Sequence, residues 1–315
     1  MKSGMAIQNK SHWVVWGTAV RGLVHAQRGL PCQDAILWVE ADGESRRVIL
    51  AIADGHGSER SPFSERGAQI AVAVATRTLA QFHREAVVSD PRNLVQVKRT
   101  AESHLPAVLV AEWRKGVQND FARVHPESQL REGYDLWRQY GTTLLAVLAT
   151  DRFILSLQIG DGDIVLAAED EQTDRAVPRD SRLMGVETTS ISSDRAIADF
   201  RIGFNVVIGL RPVLVMASTD GYFNSFVEEA GFLQAAQDYL RRLREHGAAY
   251  LQSHLAVWLE ETSRRGSGDD ITVGLIWRAN TVDYASETSE TEATAHAGTL
   301  EGSDSPADRV RSSTT

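Results

Sequence analysis

No internal disulfide can form in this chain, because Cys32 is its only cysteine. Its fold must rest on apolar packing, and the cysteine usage fits a reducing compartment. No apolar run approaches the roughly 18 residues that a membrane helix needs. The longest candidates are cut by Asp151-Arg152 and by Arg211-Pro212. The opening stretch MKSGMAIQNKSHW lacks the apolar centre of a secretory signal. A cytoplasmic monomer with no membrane partner is expected. Basic charge is also scarce: 33 Lys and Arg stand against 42 Asp and Glu, a formal net charge of −9. That balance argues against a nucleic-acid partner.

What is present suits a globular enzyme-sized domain. Of 315 residues, 43% are hydrophobic, enough for a sizeable core. The final 35 residues differ in kind. They hold 13 Ser or Thr, seven acids, two bases and Tyr284 as their one aromatic. Such a segment buries too little apolar surface to offset its ordering entropy. The reading is a domain over 1–280 and a disordered acidic Ser/Thr-rich tail over 281–315.

Periodicity divides the domain. Strands are expected at 13–20, 35–40, 47–53, 141–150, 152–160, 163–169, 212–219 and 271–277. Asp42-Gly43 in ADGES reads as a hairpin turn between the second and third. Val72, Ala75, Leu79 and Phe82 share one face of a helix over 62–84. Leu94, Val97, Ala101, Leu105 and Val108 do the same over 92–118, with Pro106 expected to kink or restart that helix. Leu233 to Leu243 and Leu251 to Leu259 mark two further helices. Residues 170–205 are polar without a strong period, a gap length that is often functional. Strands, a helix pair, strands, a helix pair and a strand suggest α+β layers rather than alternating βαβ units.

Carboxylates recur beside these strands. Asp34 precedes one in PCQDAILW, and Asp54 ends one in LAIADGHGSE. Asp161 and Asp163 lie between two in QIGDGDIV. Asp220 follows one in LVMASTDGYF, and Asp269 and Asp270 precede the last in GSGDDITVGL. A carboxylate at the rim of a packed sheet is rigidly held yet reaches solvent, and glycine lets a ligand approach the backbone. Several acids meeting there would repel one another unless cations lay between them. All-oxygen donors suit Mg²⁺ or Mn²⁺, while the lone cysteine argues against structural zinc. Each motif alone has a plainer reading. Asp-Gly is an ordinary turn dipeptide, His56 alone reads as a turn residue, and Arg28 alone reads as a solvated charge. GDGDI fails as an EF-hand loop, since Val165, Leu166 and Gln172 occupy positions that need Asp or Asn, Gly and an acid.

Taken together, GLPCQDA (29–35), ADGHGS (53–58), GTTLLAV (141–147), IGDGDI (159–164), STDG (218–221) and GDDITV (268–273) resemble the protein phosphatase 2C family. These are the metal-dependent Ser/Thr phosphatases, and the likeness is greatest to bacterial members. It spans roughly residues 13–277. It implies a four-layer αββα sandwich with two central antiparallel sheets flanked by helix pairs. It also implies two Mg²⁺ or Mn²⁺ ions, with a third in some members. Asp54 would bridge the two ions, the Gly55 carbonyl would help bind one, and Asp220 and Asp269 would complete the set. Asp34 would act through metal-bound water, and Asp161 would serve the third ion. A water activated by the metals would attack phosphorus in line, with no phosphoenzyme, and His56 would protonate the departing Ser or Thr oxygen. The implied partners are phosphorylated proteins and a Ser/Thr kinase that the enzyme opposes.

The chain departs from the family at three points. Relatives place a phosphate-gripping arginine shortly before the acid matching Asp34; here the nearest is Arg28, with His25 further back. Asp163 stands where many relatives have arginine, and Asp270 replaces a common Asn, read as a mild change. The 170–205 segment overlaps the family's flap. Two rival readings are a catalytically inactive binding protein on the same fold and a dimetal phosphoesterase for a non-protein substrate.

Overall fold

A computed structural model of the protein describes residues 12–40, 47–87, 93–125, 135–179, 188–209 and 211–279. The expected 41–45 turn and the 281–315 tail lie outside the described residues. The elements in chain order are β1 (Trp13–Val20), α1 (Leu23–Gln27), β2 (Asp34–Val39), β3 (Arg47–Asp54), α2 (Ser64–Phe82) and α3 (Leu94–Val124). Next come α4 (Leu136–Gln139), β4 (Leu144–Thr150), β5 (Phe153–Ile159), β6 (Asp163–Ala167), β7 (Thr173–Arg175), α5 (Ala196–Asp199) and β8 (Arg201–Val206). The last are β9 (Leu214–Ser218), α6 (Asp220–Phe223), α7 (Glu229–Arg265) and β10 (Ile271–Arg278). Among the described residues no helix is long and apolar enough to cross a membrane.

The strands form two five-stranded antiparallel sheets, ordered β1-β10-β9-β6-β7 and β2-β3-β4-β5-β8. Helices α2 and α3 cover the second sheet, and α7 covers the first. The expected αββα sandwich is therefore observed, and its layers follow from side-chain alternation. Along β3, Ile49, Ala51 and Ala53 pack under the helices, while Val48, Leu50 and Ile52 pack between the sheets. Both faces of the strand are buried, which is why the sequence there reads as a continuous apolar run. Each such Leu or Ile contributes about 1.5–3 kcal/mol by leaving water. A third apolar layer, with Phe232, Tyr239, Leu255 and Trp277, joins α7 to its sheet.

Two expectations change. Pro106 neither ends nor restarts its helix, since α3 runs unbroken through it. Only one backbone hydrogen bond is forfeited there. The buried face on either side, Val97 to Phe121, and the Trp113 indole donating to the Gly67 carbonyl (3.1 Å) hold the helix. The 170–205 segment is not wholly irregular, because β7 and α5 lie within it and β8 begins there. Strands β7 and β8 are sheet edges, so their residues are half-exposed and lack clean alternation. The two expected C-terminal helices are both present as the two arms of α7, which meet at Gly247, whose φ of 79° is a left-handed value that glycine adopts without strain.

Antiparallel pairing carries the acids to one rim. Strand β2 begins where β3 ends, so Asp34 pairs directly with Asp54. In the other sheet β6 and β10 begin where β9 ends, so Asp163 and Val273 both lie opposite Ser218. The loops carrying Asp161, Asp220 and Asp269 thus leave from a common edge. Thr219 and Thr272, at that edge, donate to Oδ2 of Asp34 at 2.9 and 2.7 Å, which fastens the two rims together.

Candidate metal centre

At this rim lies a cavity of about 240 Å³, lined by Asp54, Gly55, Asp161, Asp220, Asp269, His56 and others. Five of the six residues expected around metal therefore share it. The sixth, Asp34, lies just behind, buried and held by the two threonines. The Asp54 strand end is braced by Thr142 and Thr143. Thr142 Oγ1 and Thr143 N–H donate to the Asp54 carbonyl, and the Asp54 N–H donates to Thr143 Oγ1.

The acids bear the mark of crowding. Burial pushes the Asp54 carboxyl well above its ordinary range, and Asp34 and Asp220 push it further. Burial does the same to Asp34, partly opposed by the hydrogen bond from Thr272. Asp220 is pushed up to about 6, first by burial and then by Asp161. Asp269, half-exposed, is raised by burial and relieved by the Asp270 N–H. Asp54 and Asp220 thus crowd one another.

These donors fit a hard divalent cation. They are all oxygens, like charges crowd there, and Oδ1 of Asp220 is buried with no hydrogen-bond partner. Among the described residues, no three His, Cys, Asp or Glu side chains already close on a common point. The remaining carboxyl oxygens are turned to protein donors instead: Asp220 Oδ2 to the Asn224 amide and Asp269 Oδ1 to the Asp270 N–H. Mutual repulsion favours that arrangement until a cation lies between them.

His56 lines this cavity and also an adjoining groove of about 970 Å³. Burial lowers its imidazole below the usual value, and Asp161 opposes the shift. Among the described residues, those that wall the groove are all polar, Arg60, Arg138, Ser192 and Arg195 among them. Arg28 is exposed at the end of α1 and is not among the residues that line either space. His25 lines the cavity. Asp163 turns from the site and is buried against Arg175 and Arg179, at 2.5 and 3.2 Å.

The reading of Asp270 as a mild replacement does not hold. It is a buried hub: Oδ1 accepts from the Gly22 N–H at 2.6 Å, Oδ2 accepts from the Gln33 N–H at 2.7 Å, and His25 Nδ1 lies 2.7 Å from Oδ2. Gly22 must be glycine for this contact, since a Cβ there would stand 2.2 Å from the Asp269 carbonyl carbon. The doubled acid 269–270 was visible in the sequence, but nothing there marked which of the pair faces inward.

The sequence pattern described as Protein phosphatase 2C matches residues 21–260. No curated protein sequence matches the chain. Among solved structures, the catalytic domain of the serine/threonine phosphatase PstP, crystallised with two manganese ions, is 18% identical. It aligns over 85% of this chain and 99% of its own, with a TM-score of 0.52. PppA of Pseudomonas aeruginosa is 18% identical over 85% of this chain and 98% of its own, at 0.50. A bacterial serine phosphatase is 13% identical over 84% and 98%, at 0.53. At these identities the likeness speaks for the fold.

Proposed function

This chain belongs to the protein phosphatase 2C family of metal-dependent Ser/Thr protein phosphatases, and on that premise we propose how its own residues do the work. The carrying observation is the convergence of Asp54, Asp161, Asp220 and Asp269, drawn from both sheets, on one cavity. Asp54, the Gly55 carbonyl, Asp220 and Asp269 would hold two divalent cations, Mn²⁺ or Mg²⁺. Asp161 would hold a third, and Asp34 would orient water from behind. Bound cations supply Lewis-acid activation of a water nucleophile and offset the charge of the phosphoryl oxygens. His56, where cavity and groove meet, gives a proton to the departing Ser or Thr oxygen. Its lowered pKa makes it a stronger acid when it carries that proton. The polar groove accepts the substrate chain on either side of the phosphorylated residue. By family likeness, the enzyme opposes a bacterial Ser/Thr kinase.

The test is hydrolysis of a phosphoserine peptide and of p-nitrophenyl phosphate by the purified protein in Mn²⁺. Turnover should depend on Mn²⁺ and should vanish in Asp54→Asn and Asp220→Asn while both variants stay folded by circular dichroism. A folded, Mn²⁺-loaded wild type with no turnover would favour a binding role. Faster turnover of nucleotides than of phosphopeptides would favour a non-protein substrate.

A further inference from the structure

We propose that His25, seated against Asp270, is the side chain that grips the phosphoryl group of the substrate. The inference rests on the phosphatase reading above and adds a catalytic residue and its positioning partner. A phosphoryl group needs donors aimed at its non-bridging oxygens. Among the described residues that line the 240 Å³ cavity there is no Arg or Lys. Besides acids and glycines, the lining holds His25, Gln33, His56, Thr143 and Thr188. Thr143 is committed to the Asp54 backbone, and His56 faces the leaving group. The His25 ring is mostly buried, with a side-chain exposure of 15%. Its Nδ1 lies 2.7 Å from the Asp270 carboxylate, out of hydrogen-bond alignment, and its Nε2 is 4.0 Å from Asp269, a residue of the cavity wall.

The backbone beneath His25 is equally constrained. The Val24 N–H donates to the Gly268 carbonyl at 2.9 Å, and the Leu23 N–H donates to Ser263 Oγ at 3.3 Å. With α1 pinned at Gly22, Leu23 and Val24, little freedom remains for the ring to lose when substrate arrives. Asp270 must be a carboxylate for this. Each of its oxygens accepts a backbone N–H, and one also faces His25 Nδ1. An Asn would set an NH₂ against one of those N–H groups. The departure at 270 and the departure from arginine are thus one change, with a His–Asp pair in place of a guanidinium.

Three measurements decide it: KM and kcat on a phosphoserine peptide, binding of inorganic phosphate to Mn²⁺-loaded protein by calorimetry, and Mn²⁺ affinity. His25→Ala should weaken phosphate binding and raise KM about tenfold or more, the scale of one lost hydrogen bond to a charged group, with Mn²⁺ affinity little changed. His25→Arg or His25→Gln, which restore a donor, should recover part of the loss. Asp270→Asn should reproduce the His25→Ala defect, and the double variant should be no worse than either. Unchanged phosphate affinity in His25→Ala, or additive losses in the double variant, would overturn the proposal. So would a His25→Ala defect confined to Mn²⁺ binding. A wild type that binds phosphate through His25 yet hydrolyses no phosphopeptide would sink the phosphatase reading and leave this one standing.

Discussion

Removing metal should make this protein less stable as pH rises. Asp220 shows the size of the effect. Its carboxyl holds a proton up to about pH 6 in the folded chain, against 3.8 when free. Below 3.8 both states are protonated and no cost arises. Between 3.8 and 6 the folded state binds more protons than the unfolded one, so stability falls as pH rises. By pH 7.5 the cost from Asp220 alone is about 3 kcal/mol, roughly half of it incurred above pH 5. Asp34 and Asp54, raised further by burial, push in the same direction. In chelator, the thermal midpoint should therefore drop between pH 5 and pH 7.5, by on the order of 5 °C or more for a domain of this size. Asp220→Asn should be more stable than wild type in chelator at pH 7.5, and its midpoint should vary less with pH. Saturating Mn²⁺ should raise the wild-type midpoint more at pH 7.5 than at pH 5, since it binds the ionised carboxylates. A chelated midpoint that climbs across this window, or an Asp220→Asn variant that melts lower than wild type at pH 7.5, would refute the account of crowded, cation-seeking acids.

Two further outcomes are expected. Thr272→Val removes the 2.7 Å donor to the buried Asp34 carboxyl and should cost about 1–3 kcal/mol in urea unfolding; a variant as stable as wild type would show that this hydrogen bond does not brace the rim. Deleting residues 281–315 should leave Mn²⁺-dependent turnover and the thermal midpoint unchanged, and a fall in either would move the domain boundary beyond residue 280.

The strands that bury both faces were legible because they read as continuous apolar runs, as in β3, β4 and β5. Helix α2 was legible from its single apolar face. Edge strands β7 and β8 were not, because a strand with one neighbour and a half-wet face needs no regular alternation. Pro106 did not restart its helix because the packing on either side of it holds a 31-residue helix together. The glycine-flanked acids marked the candidate site. Arg28 drew attention by its residue type, whereas the geometry of α1 turns that arginine to solvent and His25 to the cavity.

By itself the sequence determined the strands other than β7 and β8, which acids flank them and which family they match, because burial and turn chemistry act on neighbouring residues. The tertiary structure decided which acids share a cavity, that Asp270 rather than Asp269 anchors the rim, and that His25 rather than Arg28 lines the cavity. Those outcomes depend on distances between residues more than 200 positions apart, such as Gly22 and Asp270, and only the antiparallel pairing of strands within the two packed sheets sets them.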